Sequence, residues 1–473
     1  MESSVLDMIT RDDILTFTIS NINVSYANAI RRVILADIPT VVFRTFPHDK
    51  NDAVFEVNTT RLNNEILKQR LSCIPIHIKD LEMPLQDYIM ELDIINNSET
   101  IRFVTTADFK IKNVTTDKYL NQDILESIFP ADNITGHYID FCRLKPKISD
   151  SLPGEHLKMT CLFSIGTASE NGAFNVVSTG CYSNTPDPIK IDEARSIKYA
   201  ELQEKYTDEK DIQYHLQDWI ILDSKRLFIP DSFNFKIESV GVFENIIIVQ
   251  TAINIIINRL NKIIELYSTQ NNLILNSNST MPNSFDIILE NEDYTIGKIL
   301  EYTLYETYYN ASKHLTYCGF SKPHPHIPNS IIRVAFREQI EKNTVIEYLN
   351  NAASLAIKFY EKLLEQFGGA PGNKLIQPLS TKLPSMPKES VAVPTQKSKK
   401  KLTIVDENSP SVEAEAATEA AEAAEALQAL EAEAEAEAEA EAEAEAEAEA
   451  EAALEALEAA EAEATASAKK SES

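Results

Sequence analysis

The residues best suited to chemistry in this sequence are two adjacent arginines, Arg31 and Arg32, in the segment ANAIRRVILADIPT (27–40). Ile30, Val33 and Ile34 recur at helical spacing and mark an apolar face, the arginines turn toward another face, and Pro39 ends the helix. Such a pair could meet carboxylates or backbone carbonyls of a partner, or form the solvated side of an amphipathic helix. Residue types alone put the solvated reading first. A second basic group, Arg61, Lys68 and Arg70 in TTRLNNEILKQRLSCIPIHI (59–78), has Glu65 among its members and no aromatic residue for base stacking. It is a poor nucleic-acid surface. His324 and His326 in GFSKPHPHIP (319–328) are of metal-ligating type, but a third ligand is missing nearby and the prolines imply a stiff extended loop. No metal is expected there.

Five cysteines (Cys73, Cys142, Cys161, Cys181, Cys318) are scattered without close pairing, which fits reduced thiols rather than a disulfide framework or a zinc site. No glycine-rich phosphate loop, HExxH or GxSxG motif occurs. An enzyme of this sequence would have to draw on Cys161, Cys181 and His156, and no convergent nucleophile–base pair is legible among them. No catalytic residue and no cofactor is expected.

The elements that position these residues come in two copies. Leu15, Phe17 and Ile19 alternate with polar residues, and Ser25 then precedes a helical run. Phe285, Ile287 and Leu289 alternate likewise, and Thr295 precedes another. Alternation predicts half-buried strands, and Ser25 and Thr295 are the expected helix N-caps. Each copy closes with a strand (SFNFKIES, SIIRVAF) and a long apolar helix. The second of these helices is expected to open on a Thr344–Glu347 capping box and to stop at Gly368-Gly369. Two copies in one chain imply pseudo-twofold pairing within a single polypeptide.

The predicted fold class is α+β. Residues 10–45 and 211–267 form a discontinuous first copy, 46–210 a mainly β insertion, 268–284 a linker and 285–367 the second copy. A Pro-, Ser- and Lys-rich stretch (368–410) and an (EA)n tail (411–473) follow, both expected to lack a packed core.

The formal charge of −29 is uneven: residues 411–473 hold 21 Glu against 2 Lys, and the rest of the chain 52 acidic against 42 basic residues. The body is only mildly acidic and has no evident duplex-binding surface. The N-terminus lacks the basic and apolar regions of a signal peptide. The longest apolar run, 246–266, carries Gln250, Asn254, Asn258, Arg259 and Lys262, which argues against a membrane span.

ANAIRRVILADIPT closely resembles the signature helix of the α-type subunits of cellular RNA polymerases: bacterial alpha, archaeal D and the third subunit of RNA polymerase II. RLNNEILKQRLSCIPIHI and FNFKIESVGVF (233–243) resemble that family's following segments. ENEDYTIGKIL (290–300) and YCGFSKPHPHIPNSIIRV (317–334) resemble the small partner, the eleventh subunit and archaeal L. Fusion of the two resembles the polymerase subunit of large nucleocytoplasmic DNA viruses of the African swine fever virus type. The resemblance implies two dimerisation domains and a non-catalytic assembly platform for the two largest polymerase subunits and small assembly subunits. Contact with DNA would be only indirect. It implies an interface of Asn28, Arg31, Arg32 and Arg70, and pairing helices that carry Ile253, Ile256, Leu260 and Ile264 against Leu349, Ala356, Phe359 and Leu363. No zinc loop is expected in the insertion, since it has no paired cysteines. A monomeric chain within a hetero-oligomer, in virion and host cytoplasm or nucleus, is the matching expectation. The alternative is an acidic-tailed chaperone for basic partners.

Overall fold

A computed structural model of the chain describes residues 3–149, 153–269 and 271–369. The expected (EA)n tail and nearly all of the stretch before it lie outside the described residues.

The first copy comprises β1 (Ser4–Arg11), β2 (Ile14–Ser20), α1 (Val24–Ala36), β3 (Val177–Pro186), a helical hairpin of α2 (Pro188–Lys205) and α3 (Glu209–Ile221), β4 (Phe228–Ser239) and α4 (Asn245–Thr269). The second comprises β5 (Ile274–Asn276), β6 (Ser284–Leu289), α5 (Tyr294–Leu304), β7 (Leu315–Ser321), β8 (Ser330–Phe336) and α6 (Lys342–Gln366). The first sheet runs β1-β2-β4-β3 and the second β5-β6-β8-β7, all antiparallel. The two orders are equivalent strand for strand. Alternation works as expected: Leu15, Phe17 and Ile19, and Phe285, Ile287 and Leu289, all point into the core. The fold is α+β.

Three local expectations shift. The N-caps are Asn23 and Asp293, whose side chains accept from the backbone N–H groups of Ser25 and Thr295, each at 2.8 Å. Each helix therefore starts two residues earlier than caps at Ser25 and Thr295 would set it, because an amide or carboxylate two residues upstream accepts from the backbone N–H of Ser25 or Thr295 itself. The capping box at Thr344 does not form, since α6 already begins at Lys342. At the other end, Gly368 at φ +74° donates to the Glu365 carbonyl and Gly369 to that of Leu364, the paired bonds of a Schellman stop. The stretch read as a linker contributes strand β5, whose Ile274 is fully buried.

The insertion departs from the expected 46–210. Between α1 and β3 lie a five-stranded antiparallel sheet (Ala53–Asn58, His156–Leu162, Tyr88–Ile95, Lys110–Asn113, Lys118–Tyr119) and two short strand pairs around their own core of Phe43, Phe109, Phe129 and Phe141. β3 pairs with β4 and so belongs to the first copy, while α2 and α3 form a hairpin between these two strands. The alternation of a short strand does not say which sheet it joins.

Candidate subunit interface

One continuous core runs through both copies, from Leu15 and Phe17 to Leu363 and Phe367. Its centre is α4 against α6, each 25 residues long with apolar side chains every three or four residues. Ile253, Ile256 and Leu260 on α4 and Leu349, Ala356 and Leu363 on α6 are fully buried. Full burial of one such aliphatic side chain is worth about 1.5–3 kcal/mol. Ile264 and Phe359 stand at the rim, half-buried. Tyr360 takes the centre instead: it stacks on Tyr26 with centroids 5.3 Å apart, and its hydroxyl donates to the Tyr26 carbonyl at 3.1 Å. Tyr26 in turn shares a 2.7 Å hydrogen bond with Thr303, and Phe359 packs edge-on against the Tyr26 ring at 4.7 Å.

α4 is long and apolar enough to cross a membrane by length and composition. Two of its buried polar side chains have partners within the chain: Gln250 donates to the Phe367 carbonyl at 2.6 Å, and Asn254 to the Gln250 carbonyl at 3.0 Å.

A charge cluster closes the seam between the copies. Arg32 donates from Nε to the Thr295 hydroxyl at 2.8 Å and pairs with Asp293. Arg259 pairs with Asp37 at 2.7 Å and also with Glu292. Three carboxylates thus share two guanidinium groups. Burial pushes the carboxyls of Glu292 and Asp37 up, against the pull of Arg259. Burial acts the same way on Asp293, but hydrogen bonds from Thr295 and the nearby Arg32 outweigh it and hold that carboxyl low. Arg259, Asp37 and Glu292 carry no local sequence signal of this role; only their meeting in space reveals it.

The two adjacent arginines therefore part company. Arg32 is held by the seam, with about a third of its side chain still exposed to the groove beside it. Arg31 donates to Asn28 Oδ1 at 2.9 Å and, among the described residues, makes no ion pair. Beside them a groove of about 670 Å³ crosses the α1–α5 seam, lined by Asn28, Arg32, Tyr294, Lys298, Tyr302 and Tyr305 among others.

Residues 16–260 match the RNA polymerase Rpb3/Rpb11 dimerisation domain, and residues 284–366 match a second family of the same description. The chain belongs to this family. It is 26% identical over 190 residues to the DNA-directed RNA polymerases IV and V subunit 3B of Arabidopsis thaliana, covering 38% of this chain and 56% of the relative. It is 26% identical over 183 residues to the DNA-directed RNA polymerase subunit Rpo3 of Methanosphaera stadtmanae, covering 38% of this chain and 60% of the relative. The DNA-directed RNA polymerases II, IV and V subunit 3 of Arabidopsis thaliana is 25% identical over 192 residues, again covering 38% of this chain and 56% of the relative. The matches thus span less than two thirds of these relatives.

In this member of the Rpb3/Rpb11 dimerisation family both partner domains occupy one chain and share one core. Arg70 lies away from the seam. It donates to the carbonyls of Phe141 at 2.7 Å and Asp140 at 2.6 Å and so fastens the helix Asn64–Ser72 to the strand Asp140–Leu144. The thiols and histidines named for an enzyme do not converge. Cys161 and His156 lie five apart on one strand and so on opposite faces, Cys161 fully buried and His156 bonded to Asp93 at 2.8 Å. Cys181 is on a different sheet. His324 and His326 approach each other, ring centroids 4.9 Å apart, but no group of three or more metal-ligating side chains occurs among the described residues.

Proposed function

We propose that the chain is a non-catalytic assembly subunit of a multisubunit DNA-directed RNA polymerase, an intramolecular pair of α-type domains on which the two largest subunits are built. The observation that carries this reading is the single core shared by two family domains. In it, each domain supplies the surface that the other must bury, so no second α-type chain is required. The α1–α5 groove, with Asn28 and Arg32, is the surface offered to the second-largest subunit. The fusion fits the polymerases of large nucleocytoplasmic DNA viruses, and with them a place in the virion or the host-cell site of viral transcription.

Affinity purification of the tagged chain from cells that make the polymerase is the test. Both largest subunits should co-purify in equal amounts with it, without a second α-type subunit. A tagged chain recovered without them would overturn the reading. Recovery with histones or other basic proteins alone would favour the chaperone alternative.

A further inference from the structure

The two paired sheets have four outer edges, and three of them are blunted. β1 carries a bulge with Asp7 at φ +52°, and its Val5 N–H donates to Gln366 Oε1 at 2.8 Å. β5 is only three residues long. On β7 the Phe320 N–H donates to the Glu301 carboxylate at 3.1 Å, so a side chain from α5 occupies the place of a further strand. β3 is different. It has ten residues, VSTGCYSNTP, none of them charged; its register with β4 shifts only near its ends, between Val177 and Thr179 and between Asn184 and Pro186, and among the described residues no strand pairs with its outer side. Unprotected edges of this length are uncommon, because they template pairing with another chain.

The repeat shows what the edge lacks. Tyr182 faces Phe235 on the neighbouring strand as Phe320 faces Ile332, so Tyr182 and Phe320 are equivalent positions. The match of Ser25 to Thr295 likewise sets Arg31 in the place of Glu301. The first copy therefore has a donor, Arg31, where the second has the acceptor that caps its edge. In the matching register the Tyr182 N–H turns outward, and a guanidinium cannot accept from it. Under that equivalence two donors, the Tyr182 N–H and the guanidinium of Arg31, fall at the positions that a donor and its acceptor fill in the second copy. Beside them Tyr182 and Leu35 are apolar groups only partly covered by the core.

We propose that β3 is a strand-addition site. An extended segment of another polymerase subunit pairs with residues 179–184, the stretch of unbroken register, and sets an Asp or Glu carboxylate between the Tyr182 N–H and Arg31, where Glu301 stands in the other copy. The main-chain bonds give affinity and the carboxylate gives register. The inference rests on the assembly reading above.

Hydrogen exchange of the free chain and of the assembled polymerase tests it. Amides of Gly180, Tyr182 and Asn184 should exchange roughly tenfold or more slowly in the assembly. Arg31→Glu would supply in cis the carboxylate that the partner brings, and Asn184→Pro would remove an outward N–H without touching the β4 ladder. Each should weaken retention of the protecting subunit roughly tenfold or more. Wild-type protection of β3 by the partner in both variants overturns the inference. So does protection that already appears in the free chain and rises with its concentration, which would mean a second copy on this edge. Co-purification of the large subunits without protection of β3 overturns this inference alone. Absence of those subunits from the wild-type preparation overturns the assembly reading and this inference together.

Discussion

Arg32 donates to the Thr295 hydroxyl at 2.8 Å across 263 residues of chain. It also pairs with Asp293, the residue that caps α5. One side chain of the first copy thereby holds the first turn of the second copy's helix. Its symmetry mate under the repeat is Tyr302, which cannot make the same ion pair. Because the two copies differ in sequence, the seam contact is made once, on one side only.

This relationship separates the two arginines. Arg32→Ala should lower the stability of the folded body by about 1–2 kcal/mol, a range discounted for its partial exposure. Arg31→Ala should change it by less than about 0.5 kcal/mol. Urea unfolding followed by tyrosine fluorescence would compare them, and equal effects would contradict the assignment.

The helix pair offers a second contrast. Ile256→Asp places a carboxylate in a fully buried site, a cost of several kcal/mol that rivals the stability of a whole domain. That variant should accumulate as insoluble protein. Phe359→Asp, at the half-buried rim, should remain soluble but melt at a lower temperature. Fractionation of expressing cells into soluble and insoluble protein decides between this ordering and its reverse.

Gly297 in α5 leaves room that Ala27, its counterpart in α1, does not. A Cβ at Gly297 would lie 2.0 Å from the Phe320 ring. Gly297→Ala should therefore destabilise by about 1–3 kcal/mol through overpacking, despite a gain of about 1 kcal/mol in helix propensity. Combining it with Phe320→Ala should remove most of that overpacking penalty. A double-mutant cycle with no coupling would show that the ring is not what the glycine accommodates.

The thiols should react in an order set by burial. Burial pushes the Cys142 and Cys318 thiols up to about 12, and that of Cys161 further still. At pH 8 the thiolate is then scarce at all three. Cys73 and Cys181 are exposed. Iodoacetamide followed by peptide mass spectrometry should modify these two first and reach Cys142 and Cys161 only on unfolding. Early modification of Cys161 would mean that the insertion core opens readily.

Local pattern in the sequence determined the elements and their duplication. Period-two alternation placed Leu15, Phe17 and Ile19 and their counterparts in half-buried strands, and three-and-four spacing placed Ile253 and Leu349 on helix faces, because each side chain's direction follows from backbone geometry alone. Local pattern could not decide which surfaces meet. It set the caps at Ser25 and Thr295 rather than Asn23 and Asp293, assigned β3 to the insertion, read β5 as linker, favoured Phe359 over Tyr360 and treated Arg31 and Arg32 as a pair. The caps were a choice between near neighbours, two residues apart, and β5 pairs with a strand that follows it closely. The other three depend on a neighbour brought close only by folding: the sheet that accepts β3, the aromatic ring of Tyr26 beneath Tyr360, the carboxylate of Asp293 opposite Arg32. Such contacts join residues up to 334 apart, as Tyr360 and Tyr26 are. No window along the chain contains both partners, so only the tertiary structure could assign them.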